Sequence, residues 1–119
     1  MNTRQNASTK PAGAGTLHAQ IPQLMALVDV GALALELWRA EQAVAELHGI
    51  YIRKIQEYEG LYGVVDGRIN PCNHEHIAIV SYTMDARLAL TAARRRVYAA
   101  RRRLRNACAK AARKGAVSA

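Results

Sequence analysis

Eleven cationic side chains crowd the final stretch of this 119-residue chain, and no acidic residue stands among them after Asp85. Most come as triplets that follow an alanine: Arg94-Arg95-Arg96 after Ala93, and Arg101-Arg102-Arg103 after Ala100. Guanidinium groups at this density attract polyanions, whether nucleic-acid phosphate, an acidic protein surface or an anionic membrane. Tyr98 lies between the triplets and offers a ring on which an exposed base can stack, although a tyrosine lying over alanines is the commoner arrangement. The candidate nucleic-acid-binding set is Arg94, Arg95, Arg96, Tyr98, Arg101, Arg102, Arg103, Arg105, Lys110, Arg113 and Lys114. Such a set contacts phosphates, so sequence specificity is weak. Neutralising about five phosphates gives a slope of log K against log salt near −4.5.

A second cluster has the types for metal chemistry. Cys72, His74 and His76 place a thiol and two imidazoles close together. Their spacing is not that of a common closed zinc site, and a fourth ligand has to come from elsewhere. A polar helix start explains the same residues, so no metal is assigned. Signals for enzymatic work are missing. Gly60, Gly63 and Gly67 follow no strand and lack the lysine-serine partner of a phosphate loop. Glu46 and His48 are two apart, not at the Glu-x-x-His spacing of di-iron bundles. The expectation is a non-catalytic protein without a cofactor.

Charge is distributed unevenly. Residues 1–85 carry nine acidic and six basic side chains, whereas residues 86–119 carry eleven basic and none acidic. Two cysteines are too few for a disulfide framework, which points to reduced thiols and a cytoplasmic protein. No stretch reads as long and apolar enough to span a membrane. The apolar run Leu24 to Leu37 is broken by Asp29 and follows 23 mostly polar residues, so no signal peptide is expected. Abundant alanine and arginine suggest a GC-rich bacterial genome, with a phage or plasmid as a possible source.

The elements that position the arginines follow from spacing. LTAARRR, VYAARRR and LRNACAK are three successive seven-residue units. Leu90, Val97 and Leu104 open them, and Ala93, Ala100 and Ala107 stand three residues later. This is the 3.5-residue repeat of packed helices, with a large and a small residue alternating along one seam. Helix two is expected over 74–113, with Asn73 as its N-cap and Gly115 as its stop. Helix one is expected over about 22–59, beginning at Pro22, with its seam on Val30, Leu33, Leu37, Ala40, Val44, Leu47, Tyr51 and Tyr58. Residues 1–16 read as a disordered tail, 60–73 as a loop and 116–119 as a frayed end. Within the loop, Val64 to Ile69 allows a very short β-hairpin with an Asp-Gly turn.

The resulting fold class is all-α: an antiparallel two-helix hairpin over 17–115 with an alanine-rich, coiled-coil-like seam. Two registers fit the repeat. One pairs Glu36 with Arg96, Asp29 with Arg103 and Glu41 with Arg94. The other, one heptad along, pairs Glu36 with Arg103. Ile50, Ile52 and Ile55 widen the apolar face of helix one, and a second copy giving a four-helix homodimer covers it most simply. The functional expectation is a small basic accessory protein gripping DNA or RNA backbone. The alternative is an adaptor, chaperone or inhibitor docking an acidic protein.

Overall fold

The computed structural model describes the backbone of residues 2–118 and the side chains of His18 and residues 20–115. Helix α1 spans Asn2–Tyr62, a 3-10 turn covers His74–His76, α2 spans Ile77–Tyr82 and α3 spans Met84–Ser118. No strand occurs among the described residues, so the protein is all-helical. The Val64 to Ile69 stretch is extended chain and bend rather than a β-hairpin, and Gly67 turns the backbone at φ 72°. The side chains of the stretch expected as a tail, 1–16, and those of the expected frayed end, 116–119, lie outside the described residues.

The seam on α3 is buried as its spacing requires. Leu90, Ala93, Val97 and Ala100 are buried, Leu104 and Ala107 are half-buried, and Ala111 continues the series one heptad step later. Ala93 and Ala100 are each 1% exposed. A methyl group that small is fully covered only when another backbone comes close, so alternating large and small residues sets the spacing of the packed helices. On α1 the expected seam residues Val30, Leu33, Leu37, Ala40, Val44, Leu47, Tyr51 and Tyr58 are half-buried, and Lys54 is exposed.

The chain divides into two compact units, Met1–Glu36 with Arg101–Ala119, and Leu37–Ala100. In the first, Arg103 pairs with Glu36, and the Gln23 amide lies 3.1 Å from where a Cβ on Gly115 would stand. Positions rise along α1 as they fall along α3. The ion pair belongs to the second of the two registers; Arg103 goes to Glu36 and not to Asp29. In the second unit, Tyr58 contacts Tyr62 and Tyr82 with ring centroids 4.9 and 5.5 Å apart.

Four expectations need correction. Helix two is not one rod from 74 to 113: Thr83 interrupts it between α2 and α3 at φ −99° and ψ 6°. The Thr83 hydroxyl donates to the carbonyl of Ile79 at 2.8 Å and its N–H donates to the same carbonyl at 3.0 Å. Threonine hydroxyls that bond back to the preceding turn are weakly unfavourable inside a helix, and the interruption here involves neither glycine nor proline. The helical assignment on α1 also begins at Asn2 rather than Pro22 and runs to Tyr62 rather than to residue 59. On α3 it passes Gly115, where a stop was expected, because glycine weakens a helix without forbidding it. Finally, the stretch Gln20–Tyr62 is long and apolar enough to cross a membrane by length and composition. This corrects the expectation that no stretch of the chain is long and apolar enough.

The segment before α2 is held by side chains. The Asn73 side chain accepts from the Glu75 N–H at 2.9 Å, the N-cap bond expected of it. The Asn70 N–H donates to Nδ1 of buried His76 at 2.9 Å. At the end of α1, Glu59 accepts from the Val65 N–H at 3.2 Å through its carboxylate.

Candidate polyanion-binding residues

Because the seam turns one face of α3 inward, the residues between its steps turn outward. Arg94, Arg95 and Arg96 are all exposed in the second unit. In the first unit Arg101, Arg102, Arg103, Arg105, Lys110 and Arg113 are exposed and Lys114 is half-buried. Arg95 and Arg102 stand opposite the seam by heptad position. Among the described residues no ion pair engages Arg94, Arg95, Arg96, Arg102 or Arg105. Arg103 is taken by Glu36, and Tyr98, Arg101 and Lys114 are each engaged by another group. Repelling guanidinium groups one turn apart cost a helix a few tenths of a kcal/mol per pair, a cost that an anion in reach of both removes.

Tyr98 is exposed on the same helix. The site therefore has cations to reach phosphate and one ring to meet a base.

A second feature was not legible beforehand. Tyr58, Tyr62 and Tyr82 line a cleft of about 430 Å³ together with Ala78 and Ser81. The Tyr82 hydroxyl donates to Glu57, and Lys54 lies 3.7 Å from the same carboxylate and 5.8 Å from the centre of the Tyr82 ring. The hydrogen bond from Tyr82, followed by the charge of Lys54, holds the Glu57 carboxyl below its ordinary value. The same bond, with some burial, holds the Tyr82 phenol above its own. The i, i+4 spacing of Tyr58 and Tyr62 was the available signal for this cluster. Asp66 and Glu75 line a neighbouring hollow that shares Tyr58 and Tyr62.

Cys72 and His74 are exposed, whereas His76 is buried with its Nδ1 already accepting a backbone N–H. The fold uses His76 to hold the chain entering α2. Cys72 and Cys108 are both free thiols at the surface.

No protein-family model, no curated protein and no solved structure matches this chain.

Proposed function

We propose that this chain is a small, non-catalytic accessory protein that grips the phosphate backbone of nucleic acid through the outward arginines of α3. In this reading α1 and α3 form an antiparallel hairpin, and two copies join as a four-helix bundle in a bacterial cytoplasm, the gene carried by a phage or plasmid. One observation carries it: α3 buries its Leu/Val/Ala seam while Arg94, Arg95, Arg96, Arg102 and Arg105 stay exposed and outside any ion pair among the described residues. The exposed ring of Tyr98 supports stacking on an unpaired base as a secondary contact.

A second reading has its own support. Arg103 already binds a carboxylate, that of Glu36, so the same helix suits an acidic protein surface. A salt series separates the two. Binding of the full chain to random duplex and single-stranded DNA and RNA weakens with salt at a slope near −4.5 if about five phosphates are neutralised. Absence of binding to every nucleic acid at low salt removes the first reading and leaves the acidic-protein one.

A further inference from the structure

Within the first unit, the outward face of α3 carries one uncharged notch. At about 100° per residue, Arg102, Asn106, Ala109 and Arg113 fall in one row along the helix. All four are exposed, while Leu104, Ala107 and Ala111, buried or half-buried, turn the other way. Arg105 flanks the row on one side and Lys110 on the other, both of them exposed. Asn106 and Ala109, one turn apart, are thus bounded by cations along the helix and across it. Among the described residues, no hydrogen bond engages the Asn106 side chain.

Phosphate contact alone gives no use for the notch. A further arginine or lysine at either position would attract a polyanion more strongly, and asparagine is a weaker helix former than either. An amide matters where an edge of donors and acceptors has to be matched. The major groove of B-form DNA offers such an edge: it is about 12 Å wide, admits an α-helix, and presents adenine N7 and the N6 amino group to a bidentate asparagine. Thymine presents a methyl group there, which alanine meets by apolar contact. The groove winds around the duplex axis, so a straight helix touches its floor at one place, and its flanks and ends meet the phosphates. Small uncharged residues belong at that place and cations around it.

We propose that Asn106 reads adenine in the major groove of duplex DNA, with Ala109 against a neighbouring thymine methyl, while Arg102, Arg105, Lys110 and Arg113 hold the phosphates around it. The amide supplies a donor and an acceptor together, and the cations supply charge without sequence information. Residues 101–119 contribute seven cationic side chains and no acidic one, and Glu36 of α1 is already paired with Arg103. From Arg102 to Arg113 the row rises about 16 Å, the length of about five base pairs, so the site is short and centred on an A·T pair. Duplex RNA fits less well, because its major groove is too deep and narrow for side chains to read. A single strand has no groove to enter.

Adenine reading rests on the nucleic-acid part of the proposed function and names its form, and one experiment separates the two. The full reduced chain selects binders from a pool of duplex DNA of random sequence, and enriched and shuffled duplexes are then compared by fluorescence anisotropy. The enriched duplexes share an A·T pair and bind about tenfold or more tighter than the shuffled ones. Replacing the shared adenine by 7-deazaadenine, which lacks the N7 acceptor, removes most of that ratio. Asn106→Ala removes it as well, with helical circular dichroism at the wild-type level, since alanine favours helix. Arg105→Gln weakens enriched and shuffled duplexes alike and keeps the ratio. Binding to random duplex with no shared pair enriched overturns the proposal and leaves the phosphate grip standing. An unchanged ratio in Asn106→Ala overturns it too, as does tighter binding to duplex RNA or single-stranded DNA than to the enriched duplex. Absence of binding to every nucleic acid removes both readings.

Discussion

Arg103 on α3 and Glu36 on α1 form an ion pair across 67 positions of sequence. The repeat offers Arg96 the same heptad position one unit earlier, so this single contact distinguishes two arrangements that are otherwise almost equal.

That choice is measurable. Glu36→Gln and Arg103→Gln, alone and together, give a coupling of about 0.2–1 kcal/mol in urea unfolding, because both side chains are half exposed. The cycle of Glu36→Gln with Arg96→Gln gives none. The reverse pattern would place α3 one heptad away.

Leu90 is 2% exposed and makes the first step of the seam on α3. Leu90→Ala should lower stability by about 2–4 kcal/mol through lost burial and the cavity left behind. Ala93→Leu has no room and should cost about 1–3 kcal/mol. Equilibrium unfolding reads both, and a loss below about half a kcal/mol for Leu90→Ala would mean the seam is not packed.

Arg95→Ala and Arg102→Ala probe the opposite face. Each should change stability by less than about 0.5 kcal/mol, since neither residue joins an ion pair among the described residues. Together they should make the salt slope of nucleic-acid binding shallower by about two units. Stability lost with the slope unchanged would give these arginines a structural role instead.

The bond from Tyr82 to Glu57 makes stability depend on pH at both extremes. The Glu57 carboxyl is held low, so its contribution is complete above the ordinary carboxylate value and fades as pH falls through the lowered one. The Tyr82 phenol is held high, so its contribution is complete below its ordinary 10.0 and fades as pH rises through the raised value. In Glu57→Gln the phenolate absorbance of Tyr82, isolated by difference against Tyr82→Phe, should appear at lower pH than in wild type. An unmoved titration would show that the carboxylate does not hold the phenol.

Asn73 caps the turn that leads into α2 by accepting the Glu75 N–H. Asn73→Ala should cost about 1 kcal/mol, and Asn73→Asp should restore most of it. Equal losses in both variants would argue against the cap.

The buried side of α3 was legible because Leu90, Ala93, Val97 and Ala100 repeat at a helical period that no other structure uses. The outward arginines followed from it by subtraction. The register was not legible, because two nearly identical heptads present nearly identical partners. The break at Thr83 was hidden for another reason: Tyr-Thr-Met-Asp holds no glycine or proline to announce it. On α1 Ile50 and Ile52 of the expected extra apolar face are exposed, and a longer exposed stretch of apolar residues, from Ile21 to Leu35, went unread. Pattern tells which residues are apolar, but not which of two apolar sides the first neighbour covers. Tyr58, Tyr62 and Tyr82 come together only because α2 returns beside the end of α1.

The seven-residue repeat has a mechanical consequence. LTAARRR and VYAARRR offer α1 much the same surface, so sliding α3 by one unit, about 10.5 Å, would meet little resistance from the seam itself. What resists lies at the turn, where nothing recurs: His76 holds the Asn70 N–H, and Tyr82 holds Glu57. Those few polar contacts act as a detent. Cutting both would leave a zipper free to settle on the neighbouring notch, carrying every arginine about two helical turns along its partner.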